Sequence, residues 1–272
     1  MNFLTESRID YLTHRWNIHS GCDNFEKGLC QLGESCWARR EVGNNPQRYP
    51  FEFEPHFWPE ALNAALSLKK PARVGVAFQG DLFCSWSLPL TTINYNLKTQ
   101  SGKMINLRST VRDATFSICR TLKDSRFLFL TKNWANLPRW EPFPDDNVWV
   151  GGSTTNQKAF HSALMSLPYV RCAHRWLSVE PVYERIEAHH GELFKFDWVV
   201  IGAQTKPNVK VPPEYIEGLV NTCLESNTPV FLKKNLRFSL PHREPFFHNG
   251  TLRQELPQEL IIPEDNVKEN NA

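Results

Sequence analysis

Short apolar runs alternate along the chain with stretches whose apolar residues recur at helical spacing. Residues 15–21 read as a short β-rich run ending in a glycine turn, and residues 58–68 carry a helical pattern. A buried strand over 73–78 follows, closed by Gln79, Gly80 and Asp81. Residues 105–122 form a second amphipathic helical pattern, before a strand over 126–130 with Thr131 and Lys132 at its mouth. The next strand covers 147–152, with Ser153 and Thr154 after it and a helix from 156 to 167. In the run 175–181, Pro181 stops the strand directly after Glu180 and so sets that carboxylate at a strand end. Residues 196–202 are nearly all apolar, as a parallel strand covered on both faces requires, and end at Gln204 and Thr205. A helix over 213–225 and a last strand over 229–233 complete the pattern.

Strand followed by helix, repeated, predicts an α/β fold of about six to seven parallel strands. Right-handed crossovers wind such units into a full or partial (βα) barrel, with the polar strand-end residues on one rim together with the N-terminal cysteines. Residues 1–235 are expected to form one barrel domain. Residues 236–262 read as a turn-rich extension with a hairpin at Asn249-Gly250, and 263–272 as a charged, disordered tail. The polar stretch 94–109 breaks the period and reads as an excursion over the barrel mouth.

Composition changes this picture little. With 31 Lys and Arg against 29 Asp and Glu, the formal charge is +2, so no global basic field points to nucleic acid. Paired charges at Arg39-Arg40, Lys69-Lys70 and Lys233-Lys234 leave room for a local basic face, although solvated surface is the commoner role for such pairs. No apolar stretch resembles a signal peptide or a membrane span, and the odd number of cysteines, 7, is unevenly spread; a cytoplasmic protein with reduced thiols is expected.

Candidate chemistry concentrates in Cys22, Cys30 and Cys36, which fall within fifteen positions. Their spacing is neither a zinc-ribbon pair nor a tight ferredoxin run. On spacing alone, a metal or cluster site and a set of reduced, partly buried thiols both stay open. Cys119 and Cys223 lie on apolar helix faces and read as core, while Cys84 follows Asp81-Leu82-Phe83 near a strand end.

Further strings carry a resemblance. They are Trp16-Asn17 with Gly21-Cys22, Cys36-Trp37-Ala38, Asp81-Leu82-Phe83, Leu130-Thr131-Lys132, Asn147 to Gly151, Ser178-Val179-Glu180-Pro181, Asp197-Trp198-Val199 with Ile201-Gly202, and Phe231-Leu232-Lys233. In this order, over residues 15–235, they resemble a family of phage and bacterial three-cysteine-motif proteins, radical-SAM-like and distantly similar to spore photoproduct lyase. The family usually ends its motif in a CxxC pair, whereas five residues separate Cys30 from Cys36 here; Gly202-Ala203-Gln204-Thr205 stands where it has a glycine pair and an acidic residue.

The resemblance implies a radical SAM-type barrel. Cys22, Cys30 and Cys36 would ligate a [4Fe–4S] cluster whose open iron takes S-adenosylmethionine, and one-electron reduction would yield a 5′-deoxyadenosyl radical that abstracts hydrogen from substrate. It also implies Asp81 for the methionyl ammonium, Lys132 for its carboxylate, and Ser153, Ser178 and Glu180 for ribose hydroxyls. Gln204 and Lys233 fall on the substrate side, and Cys84 is a candidate hydrogen donor. The implied partners are the small-molecule cofactor, a one-electron reductant, and a nucleic acid or nucleotide as substrate, with no membrane. The rival expectations are a non-enzymatic binding protein with a structural zinc, His19 as its fourth ligand, or a barrel without a cluster.

Overall fold

The computed structural model describes residues 2–263 except 100, 145, 190 and 206. Two compact units divide the chain: Met1–Trp149 with Arg171–Ala173 and the stretch from Ile262, and Val150–Val170 with His174–Ile261.

In the first unit, β1 (Leu4–Glu6) lies antiparallel to β2 (His14–Trp16). A small ladder of β3 (His19–Ser20) and β4 (His56–Phe57) brackets α1 (Trp37–Asn44). After α2 (Leu62–Ala65), β5 (Arg73–Val76) pairs parallel with β2. The chain then leaves the sheet as an antiparallel ribbon, β6 (Thr92–Lys98) against β7 (Met104–Thr110). It returns through α3 (Val111–Thr121) to β8 (Arg126–Thr131), parallel to β5. β9 (Val148–Thr154) begins beside β8, where Phe127 N–H donates to the Asn147 carbonyl at 2.8 Å.

The second unit continues β9 through α4 (Gln157–Ser166) to β10 (His174–Val179), and β11 (Trp198–Ile201) pairs parallel with it. α5 (Glu217–Glu225) leads to β12 (Val230–Leu232), parallel to β11. β13 (Phe247–His248) and β14 (Thr251–Leu252) form the hairpin expected at Asn249-Gly250. Of the tail expected over 263–272, residues 264–272 lie outside the described residues.

The apolar strands are buried as their composition demands. All seven residues of β9 and all four of β11 are buried. Large aromatics are buried in the core, and two of them satisfy their ring N–H: Trp16 Nε1 donates to the Ala61 carbonyl at 2.8 Å and Trp198 Nε1 to that of Glu255 at 2.9 Å.

The strands are mostly parallel, as expected, in the order β1-β2-β5-β8-β9 and then β9-β10-β11-β12, and of the full or partial barrel expected no closed one forms. The edge of β2 that a closing parallel strand requires is taken by β1, a three-residue strand too short to show a period.

The helix expected over 105–122 begins only at Val111. Residues 104–110 alternate outward and inward against β6, a period of two that the helical reading overran. Thr110 then starts the helix, its Oγ1 accepting from Asp113 N–H at 3.1 Å. The polar excursion over 94–109 is therefore a regular ribbon. Among the described residues no helix is long and apolar enough to cross a membrane.

Candidate functional site

The cysteine loop starts where two glycines touch. Gly21 and Gly80 form a bridge, and a Cβ on Gly80 would stand 2.1 Å from the Gly21 carbonyl oxygen. This contact sets Cys22, just after Gly21, beside Asp81 and Cys84, just after Gly80. Gly21 also has φ +80°, a left-handed conformation in which glycine is the least strained residue.

Asn24 knits the loop from inside. Its carbonyl accepts from Leu29 N–H at 2.8 Å and Cys30 N–H at 3.1 Å, and its side-chain amide donates to Asp81 Oδ2 at 2.6 Å. Asp81 Oδ2 also accepts from Thr131 Oγ1 at 2.8 Å and Lys132 N–H at 3.0 Å, while Oδ1 takes Phe83 N–H at 2.9 Å. Asp81 thus ties the thiol loop to the carboxyl ends of β5 and β8. Burial pushes its carboxyl up, and the four donors pull it back down. Its partners are four groups of the protein.

The three thiols are partly buried and free, and two of their sulfurs already accept backbone N–H groups. Asn24 N–H approaches Cys22 Sγ at 3.4 Å, and Leu32 N–H approaches Cys30 Sγ at 3.5 Å. Cys30 is pushed up by burial and drawn down by the Lys132 ammonium, and it senses both Cys22 and Cys36. The Cys22 thiol is pushed up first by its hydrogen bond with Cys84, then by burial and by Asp81. Lys27 bridges the loop to the same segment, donating to the Cys84 carbonyl at 2.7 Å and pairing with Asp23 at 2.7 Å.

Cys22, Cys30 and Cys36 are therefore electrostatic neighbours, together with Asp81, Lys132 and Cys84. Among the described residues no group of three or more His, Cys, Asp or Glu is set as a preformed metal tripod. An ion held there would need the sulfurs drawn inward, as is common where metal binding and local folding are coupled. The donor set itself, three thiols with N–H groups on two sulfurs and a cation alongside, fits an iron–sulfur cluster. It also fits zinc.

A model of the DUF5131 family, described as a protein of unknown function, matches residues 6–244. The chain belongs to the DUF5131 family. No curated protein and no solved structure matches it.

The other expected residues of this DUF5131 protein gather in the second unit, on the β10–β12 strand ends. The register pairs Val179 with Ile201 and Ile201 with Leu232, so Glu180, Gly202 and Lys233 follow in one row. Lys233 Nζ pairs with Glu180 Oε1 across Gly202, where a Cβ would stand 2.8 Å from Lys233 Cδ and 3.0 Å from Glu180 Cδ. Ser153 Oγ contacts the Glu180 carbonyl at 3.4 Å, and Tyr183 donates to Gln204 Oε1 at 2.8 Å. Ser178 is fully buried within β10, one row further in, with no hydrogen-bond partner for its hydroxyl among the described residues.

Glu180 and Lys233 are only 22% and 14% exposed, so removing one partner strands the other. Glu180→Gln and Lys233→Met are each expected to cost about 2 kcal/mol, and the double variant less than their sum. Urea unfolding of the four proteins measures this.

Two residues that sequence reading passed over hold the first site together. Asn24 looks like any polar loop residue, and Lys27 like a solvated charge; only the folded loop reveals their carbonyl and carboxylate partners.

Proposed function

We propose that this DUF5131 protein is a radical SAM-type enzyme whose loop thiols hold an open-site iron–sulfur cluster. The observation that carries the reading is that Cys22, Cys30 and Cys36 share one loop whose Asn24 is tied through Asp81 to Thr131 and Lys132 at the end of a parallel strand. Three thiolates are the number that leaves one iron of a [4Fe–4S] cluster open, and the ordered strings from Trp16 to Lys233 support the same assignment.

When bound, such a cluster supplies one-electron chemistry to a S-adenosylmethionine ligand. The chain's own contribution is placement. Asn24 and Asp81 fix the loop, the Asn24 and Leu32 N–H groups withdraw charge from two sulfurs, and Lys132 offsets the charge of thiolates near Cys30. The reading requires an external one-electron reductant.

One observation favours a second reading, a closed structural zinc. Cys84 contacts Cys22 through a thiol hydrogen bond and so offers a fourth sulfur.

Anaerobic reconstitution with iron and sulfide, followed by metal analysis, separates the two. About four irons per chain are expected, with the absorption lost when Cys22, Cys30 and Cys36 are replaced by Ala. 5′-Deoxyadenosine should then form on adding S-adenosylmethionine and dithionite. Stoichiometric zinc, or no metal, under the same conditions overturns the proposal.

A further inference from the structure

The β6–β7 ribbon has no role in the thiol site, and its two faces differ sharply. Ile93, Tyr95 and Leu97 lie opposite Ser109, Leu107 and Ile105 on the inner face, where Tyr95 is buried. The outer face carries Asn94, Asn96 and Lys98 opposite Arg108, Asn106 and Met104, all exposed. Asn106 donates to Asn96 Oδ1 across the strands at 2.9 Å, and Asn63 closes the ribbon edge by accepting Lys98 N–H at 2.9 Å.

Charge is distributed as unevenly as polarity. No Asp or Glu occurs between Asp81 and Asp113, whereas Lys98, Lys103, Arg108 and Arg112 all fall there, in a chain with 29 acidic residues among 272. Among the described residues, Lys98, Lys103 and Arg108 take part in no ion pair.

We propose that this outer face binds duplex DNA, the ribbon lying in the major groove. Seven residue pairs give a ribbon roughly 20 Å long, enough for about six base pairs. The major groove of B-form DNA admits a two-stranded ribbon, and the deep, narrow groove of duplex RNA does not. Lys98 and Arg108 supply phosphate contacts from this face and Lys103 from the hairpin end next to Met104; Asn94 and the unbonded ends of the Asn96–Asn106 pair present donors and acceptors to base edges. The polarity of the face argues against a lipid surface. Nothing in this assignment depends on a cluster.

The test is fluorescence anisotropy of the full chain, purified without metal, with a labelled mixed-sequence DNA duplex at 50 and 200 mM salt. With three phosphate contacts, raising the salt between those values should weaken binding roughly 40-fold. Lys98→Ser, Lys103→Ser and Arg108→Ser combined should lower the log–log salt slope by about 2.7 and weaken binding at least tenfold, with unchanged thermal unfolding. A control with Lys69→Ser and Lys70→Ser should bind as the unaltered chain does. The proposal is overturned if the unaltered chain fails to bind duplex DNA at 50 mM salt, or if the triple variant keeps its affinity and slope. It is equally overturned if the control weakens as much as the triple variant, or if duplex RNA competes as well as duplex DNA.

Discussion

Asp81→Ala is expected to destabilise the protein by about 3–5 kcal/mol, because it leaves four donors inside the fold without their acceptor. Two of these are backbone N–H groups, Lys132 at the end of β8 and Phe83 in the turn after Asp81, and neither can reach water without distorting its backbone. Asp81→Asn is expected to fall short of full rescue, since with its oxygen toward the three donors on Oδ2 its amide nitrogen opposes Phe83 N–H, and a neutral oxygen accepts more weakly than a carboxylate. Asn24→Ala should cost less, about 1–2 kcal/mol, and the double variant less than the sum, because the two residues share one bond. Thermal unfolding gives these energies. Limited proteolysis adds a second readout, with cleavage within residues 22–36 rising in both single variants. Unchanged cleavage in Asp81→Ala would remove Asp81 as the anchor of the loop.

Acidification should unfold the protein through His19. This side chain is fully buried in β3, neither ring nitrogen has a hydrogen-bond partner among the described residues, and burial followed by the charge of His56 lowers its pKa to about 3. Between the ordinary value of 6.5 and about 3, the unfolded chain holds a proton that the native state does not. Stability therefore rises with pH across that window, at about 1.4 kcal/mol per unit, and falls by about 4–5 kcal/mol in total on acidification. His56 is lowered as well and acts in the same direction. Asp81, whose carboxyl is raised, acts in the opposite one. Comparison with His19→Met isolates the histidine: the variant should be within about 1.5 kcal/mol of the parent at pH 7.5 and lose most of the acid slope. Urea midpoints at pH 5 and 7.5 decide it, and an unaltered slope in the variant would clear His19 of the effect.

How much of this was legible depends on what each segment offered the eye. The strands 198–201 and 126–131 announced themselves because burial on both faces demands an unbroken apolar run. Glu180 at a strand end followed from the proline after it. Residues 104–110 misled because Ile105, Leu107 and Val111 fit a helical stripe as well as an alternation, and only pairing with β6 decides between them. Whether the barrel would be full or partial was not legible, since β1 is too short to carry a period and yet occupies the edge of β2. At the site, the cysteines, Asp81 and Lys132 were visible as residue types, whereas the use made of Asp81 was not: a carboxylate reads the same in sequence whether its partners are a ligand's or the protein's own.

The contact of Gly21 with Gly80 has a mechanical side. At that point two strands of backbone run past each other with no side chain between them, so the pair works as a spacer of zero thickness. Any methyl group added to Gly80 would be a wedge, since its carbon would fall 2.1 Å from the opposing oxygen. The wedge would part the segment carrying Cys22 from the one carrying Cys84, widening the gap between two sulfurs while deleting neither. Gly80→Ala thus varies thiol separation at constant thiol content.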